Sequence, residues 1–298
     1  MEQKNNIPDF FIVGAPKAGT TALNHHLSMH PEVFMGKKEI HYFGSDLGMI
    51  HQELTKDEYI NQFSESSPNQ LKGESSVWYL FSKNAAEEIK QFNPNAKIII
   101  VLRRPTEMVP SLHAQYIYNA DENETNFEKS FTDDLNRNSS LKSFSFENRP
   151  KYIESCQYYQ QVKRYIDTFE KDNILILLHE ELQNDFDATI KKVYSFLGVN
   201  PNFTPNKEEV NARRKIKNVK LHHISKEPPT GLKKLFRFIV PFKPWRHSIM
   251  QTVENINIGK EETKDIPEHL KNKIIELTKD DTLKLQELIK KDLSAWLK

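Results

Sequence analysis

The stretch from Asp9 to Pro31 constrains this chain more than any other. Asp9 to Val13 is a short apolar run, Phe10-Phe11-Ile12-Val13, that shows no alternation and ends in Gly14. A strand without alternation is buried on both faces, so it belongs inside a sheet covered by helices on both sides. A helical pattern follows: Thr20 and Thr21 offer hydroxyls at its start, Ala22, Leu23, Leu27 and Met29 form its apolar side, and Pro31 stops it. The unit is strand, loop, helix.

Short apolar runs recur at Lys97 to Leu102 and at Asn173 to Leu178, with helical patterns at Ala85 to Phe92, Tyr152 to Phe169 and Leu182 to Leu197. Strands separated by helices predict an α/β fold with a central, mostly parallel sheet and helices on its flanks, and the glycine-bounded loop after the first strand, Gly14 to Thr21, makes its core P-loop-like and suited to a nucleotide. The 298 residues suit a single domain spanning 1–298. Asp121 to Pro150, rich in Asn, Ser, Asp and Glu, reads as a partly helical, solvent-facing excursion. Residues 205–247 hold twelve Lys or Arg against three Glu, interleaved with Leu232, Leu235, Phe236, Phe238 and Ile239, and read as a basic-apolar lid. In the C-terminal helical segment, 267–297, Leu270, Ile274, Leu277, Leu285, Leu288 and Trp296 are spaced to pack back on the body.

A net charge of +1 carries no global signal for nucleic acid or an anionic membrane, so any anion site must be local. The single Cys156 excludes an internal disulfide and a thiolate zinc site. With no signal-peptide core near Met1 and no run of eighteen apolar residues, the reading is a cytoplasmic protein without a transmembrane segment.

Gly14-Ala15-Pro16-Lys17-Ala18-Gly19-Thr20-Thr21 lies between the buried strand and the helix N-terminus, where successive N–H groups and the helix dipole favour an anion. It departs from a Walker loop, because Lys17 precedes the second glycine by two positions and Thr20 stands at the Walker lysine position. A lysine inside the loop reaches the 5′ end of a nucleotide, where charge develops on a leaving oxygen. Pro16 to Leu23 resembles the 5′-phosphosulfate-binding loop of sulfotransferases that use 3′-phosphoadenosine 5′-phosphosulfate (PAPS), in their bacterial and heparan-sulfate-type branch. That resemblance implies PAPS as donor, adenosine 3′,5′-bisphosphate (PAP) as product and no metal. It also implies Lys17 on the bridging oxygen, with Ala18, Gly19, Thr20, Thr21 and Ala22 forming the cofactor loop.

The later apolar run ends in Arg103-Arg104-Pro105, where a Walker-type ATPase would present a magnesium-binding aspartate. Arginine binds phosphate oxygens in a planar, bidentate manner, and a serine hydroxyl adds a donor. Arg103, followed eight residues on by Ser111, is similar to the family's 3′-phosphate element, although Pro110 is a departure that predicts a kinked helix. Asn211 to Asn218 is similar to a basic family segment and makes Lys217 a further candidate contact.

Lys37-Lys38-Glu39-Ile40-His41-Tyr42-Phe43 resembles the family segment whose glutamate is the general base. Glu39 is the first candidate and His41 the competing one. Gly73 to Leu80 resembles another family element, with Ser75 where polysaccharide enzymes often carry a lysine; this weakens a highly charged polymer as acceptor. Trp78 and Tyr79 suit core packing better than ring stacking on a ligand. Ile174 to Leu182, Phe196 to Val199 and Asp292 to Leu297 extend the resemblance over nearly the whole chain. The implied partner is a small-molecule, lipid or carbohydrate acceptor. A nucleotide kinase or NTPase and a non-catalytic nucleotide-binding relative stand as alternatives.

Overall fold

The computed structural model describes residues 6–48, 54–137, 149–205, 214–216, 258–260 and 266–298. Strand β1 (Phe10–Gly14) is buried along its whole length, as its unbroken apolar run requires. Its neighbours are β3 (Leu71–Ser75) and β4 (Lys97–Leu102), with β2 (Val33–Met35) beyond β3 and β5 (Ile174–Leu178) beyond β4. All four pairings are parallel, in the order β2-β3-β1-β4-β5. The chain therefore leaves β1 toward one edge and leaves β4 toward the other. That reversal opens a crevice at the carboxyl ends of β1 and β4, the place where open α/β sheets bind ligands.

The α-helices among the described residues are α1 (Thr20–Met29), α2 (Lys56–Asn61), α3 (Ala85–Phe92), α4 (Pro105–Asn119), α5 (Phe127–Asn136), α6 (Tyr152–Cys156), α7 (Tyr158–Thr168), α8 (His179–Asn184), α9 (Phe186–Leu197) and α10 (Glu268–Ile289). A separate antiparallel pair, β6 (Arg214–Ile216) with β7 (Ile258–Lys260), places β6 against α4.

Several expectations need correction. The pattern over Tyr152 to Phe169 is two helices, because Gln157 leaves the helical region with ψ 81°, and the N-terminus of α7 is taken over by Asp281. Leu182 to Leu197 breaks at Asp185, whose carboxylate accepts from the Ala188 amide at 3.0 Å and starts a new helix. Pro110 lies inside α4, which runs on to Asn119, so the proline removes one backbone donor within a continuous helix and no expectation is overturned there. The polar excursion is not simply solvent-facing: Arg149 is buried, pairs with Glu122 at 2.6 Å and Asp134 at 3.6 Å, and lies over the rings of Tyr116 and Tyr152. Residues 206–213 and 217–247 of the basic-apolar segment lie outside the described residues.

The C-terminal helix packs as its periodicity requires, with Leu270, Ile274 and Leu285 buried and Leu277 and Leu288 against the same core. It also carries a polar anchor. Both carboxylate oxygens of Asp281 accept from the Tyr159 amide at 3.1 Å, and the Tyr158 hydroxyl in turn donates to the Arg103 carbonyl at 3.1 Å.

Burial raises the Asp281 carboxyl to about 6 against the opposing amide hydrogen bonds. An acid raised above its unfolded value binds more protons in the native state. Stability from this group is therefore present below about pH 4 and lost as pH climbs through 6. Asp281→Asn, which still accepts from the amides, should thus gain thermal stability relative to wild type as pH rises from 4 to 7. Melting temperatures measured at each pH check this, and a difference that does not change with pH contradicts it.

Candidate functional site

The loop between β1 and α1 begins with a backbone tie to the neighbouring strand, the Ala15 amide donating to the Val101 carbonyl at 2.6 Å. Lys17 takes a left-handed φ of 60°, and Gly19 takes φ 94° as the residue before the helix. The start of α1 thus depends on Gly19 rather than on a threonine hydroxyl cap; Thr20 is the first helical residue and is buried, while Thr21 is exposed. The first intrahelical bond here runs from the Leu23 amide to the Gly19 carbonyl at 3.2 Å. An α-helix leaves its first amides outside its own ladder, here those of Thr20, Thr21 and Ala22, and they form the positive end of the helix dipole. A Cβ on Gly19 would come within 3.0 Å of His179 Nδ1, so both backbone angle and space call for glycine. His179, the first residue of α8, holds the loop by donating from Nδ1 to the Ala18 carbonyl at 3.0 Å.

Lys17 points toward α4, where its Nζ donates to Gln115 Oε1 at 3.1 Å. Arg103, at the end of β4, donates from Nη1 to the Lys17 carbonyl at 2.9 Å. Its Nε and Nη2 each reach Glu107 Oε2 at 3.2 Å. The buried guanidinium is therefore fixed beside the loop. Ser111 lies half-buried on α4 one turn before Gln115, and residues at i and i+4 share a helix face, so Ser111 lies on the face that meets Lys17. Lys217 lies outside the described residues; β6, which ends just before it, rests on α4.

Glu39 and His41 come together beside the end of β3. His41 Nε2 lies 3.1 Å from Glu39 Oε2, and the other Glu39 oxygen pairs with Lys38. Oε2 also accepts from the Val77 amide at 3.1 Å. Burial pushes the Glu39 carboxyl up, but the His41 ring 3.1 Å away and the Lys38 charge outweigh it and hold the group at about 2. Val77 links this pair to the donor loop, because a Cβ on Gly14 would meet the Val77 carbonyl at 2.7 Å. Only glycine allows that approach. Trp78 and Tyr79 are buried, and Trp78 stacks on Tyr116 at 6.4 Å.

The described chain thus collects at the carboxyl side of its sheet a loop shaped for an anion, two cationic side chains and a carboxylate–imidazole pair. A model of the sulfotransferase domain matches residues 7–294. The chain belongs to the sulfotransferase domain family. A crystal structure of a sulfotransferase from Alicyclobacillus acidocaldarius shares the fold with a TM-score of 0.69 at 25% identity, covering 98% of this chain and 99% of that one. Human carbohydrate sulfotransferase 15 is 26% identical over 251 residues, covering 65% of this chain and 44% of its own length. Mouse heparan sulfate glucosamine 3-O-sulfotransferase 5 is 25% identical, covering 70% of this chain and 58% of its own. The chain therefore spans less than two thirds of either curated relative. Among the described residues no helix is long and apolar enough to cross a membrane.

Sequence reasoning missed Gln115, Glu107, Val77 and His179. Gln115 had a usable signal, since it follows Ser111 by one helical turn. His179 had only its position after an apolar strand. The shared demand on Gly19 gives a test: Gly19→Ala places an L-residue at φ 94° against His179 and should destabilise the fold by about 1–2 kcal/mol in urea unfolding. Unchanged stability would contradict the geometry described for this loop.

Proposed function

We propose that this chain transfers a sulfuryl group from PAPS to a hydroxyl, or an amine, of a carbohydrate or other small acceptor. One observation carries the reading: the strand next to the anion loop ends in a buried arginine hydrogen-bonded to the Lys17 carbonyl, where a magnesium-dependent NTPase would need a carboxylate. The residues suit an anionic nucleotide donor. Gly19 supplies the left-handed turn that seats the loop against His179, the first amides of α1 lie outside the helix's own ladder, and Lys17 and Arg103 supply positive charge.

PAPS when bound supplies an activated sulfuryl group. In this reading Ala18 to Ala22 hold the 5′-phosphate end, and Arg103, Ser111 and Lys217 hold the 3′-phosphate. The Lys17 ammonium leaves Gln115 to neutralise charge growing on a leaving oxygen, an effect that is large in a water-poor site. The Glu39–His41 pair takes the acceptor proton. A carboxylate held at about 2 is ionised throughout the neutral range but is a weak base alone, and His41 Nε2, 3.1 Å away, gives the proton a second place to go. The names of the curated relatives favour a sugar hydroxyl over a lipid alcohol as acceptor. A buried, unpaired Cys156 fits a reducing compartment, which we take to be the cytoplasm.

A ligand that binds only the native state stabilises it, by about 2.7 kcal/mol at a hundred times its Kd. PAP should therefore raise the melting temperature without added metal, and Arg103→Ala should lose most of that rise. Stronger stabilisation by ATP with Mg²⁺ than by PAP would contradict the reading.

A further inference from the structure

Glu74 sits on β3 with no exposed surface, and a buried carboxylate is costly unless its oxygens are satisfied. Three hydroxyls satisfy it: Tyr59 donates to one oxygen, while Tyr79 at 2.6 Å and Ser76 at 2.7 Å donate to the other. Burial pushes this carboxyl up, and the hydroxyl donors work against that shift.

Each partner of Glu74 also touches a successive residue of the segment that follows Glu39. The Ser76 hydroxyl accepts from the His41 amide at 3.0 Å. The Tyr59 ring stacks on Tyr42 with centroids 4.1 Å apart and planes 6° from parallel. The Tyr79 hydroxyl accepts from the Phe43 amide at 3.2 Å. A hydroxyl has one proton, so a carboxylate that takes it from Ser76 and from Tyr79 leaves a lone pair on each for the amide.

The held segment needs holding. Glu39 and His41 both have left-handed backbones, φ 60° and 52°, which non-glycine residues keep only when their surroundings impose them. The Glu39 amide is fixed separately, donating to the Ser75 carbonyl at 2.8 Å. Glu74 hydrogen-bonds to neither the Glu39 carboxylate nor the His41 ring; besides the charge interaction between Glu74 and His41, its link to them runs through these hydroxyls.

We propose that Glu74 is a positioning residue for proton removal, acting through Ser76, Tyr79 and Tyr59 to fix the backbone that carries the Glu39–His41 pair. The proposal rests on the reading of that pair as the proton acceptor. A displacement of about an ångström at a reacting group costs up to about a hundredfold in rate.

The test measures kcat per PAP-binding site, PAP affinity and acceptor KM for Ser76→Ala, Tyr79→Phe, their double variant, and the double variant with Glu74→Gln added. Glu39→Gln serves as control. We expect the double variant to lose about ten- to a hundredfold in kcat with PAP affinity and acceptor KM near wild type. Adding Glu74→Gln should cost little further rate, because the hydroxyls through which it acts are gone. If the double variant is merely less stable and keeps full kcat per PAP-binding site, the proposal is overturned. Should Glu74→Gln fail to fold, the Ser76 and Tyr79 variants decide alone. A Glu39→Gln enzyme with undiminished kcat would instead overturn the proton-acceptor reading beneath the proposal. Loss in Glu39→Gln with no loss in the hydroxyl variants would overturn the Glu74 proposal only.

Discussion

The hydrogen bond from Arg103 to the Lys17 carbonyl, 2.9 Å long, is the point on which the candidate site turns. It joins the carboxyl ends of β1 and β4 at the crevice where the chain reverses direction across the sheet. Lys17 has a left-handed backbone, and the bond pins its carbonyl so that the side chain extends toward α4 and Gln115. The arginine is held in turn by Glu107 and, through its own carbonyl, by Tyr158. Tyr158 opens a helix whose first amides are held by Asp281 from the C-terminal helix. A contact between two loop residues is thereby tied to an element more than a hundred residues away in sequence.

The acceptor side is organised by a different kind of constraint. Glu39 sits among His41, Lys38 and the Val77 amide, so its charged form is favoured and its reach is fixed. The same Val77 passes close to Gly14 at the start of the donor loop. In the proposed reading, charge stabilisation and proton removal fall to loop residues at the carboxyl side of one sheet, Lys17 after β1 and Glu39 with His41 after β2.

The sheet's centre was legible because β1 and β4 announce themselves as unbroken apolar runs, and the anion loop because Gly19 and Lys17 stand at telling offsets. The strands β2 and β3 were not. Val33–Met35 is too short to show a period, and Leu71–Ser75 carries a lysine, a glycine and a glutamate whose places only tertiary pairing explains. Helix breaks at Gln157 and Asp185 were hidden by continuous apolar periodicity on either side. Glu39 and His41 were readable as neighbours in a motif, but their left-handed backbones and the buried Glu74 cluster that frames them arise from contacts across the sheet. Arg149 read as part of a polar excursion because its partners Glu122 and Asp134 are separated from it by 27 and 15 positions.

The central claim is that Lys17, held at this crevice, serves transfer of a sulfuryl group. Label transfer from ³⁵S-labelled PAPS to a panel of sugars, alcohols and phenols, run with wild type and Lys17→Ala in the presence of a metal chelator, tests it most directly. The account predicts a labelled acceptor product with wild type and a fall of about a hundredfold or more with Lys17→Ala. Transfer that needs a divalent metal, or a Lys17→Ala variant as fast as wild type, would contradict it.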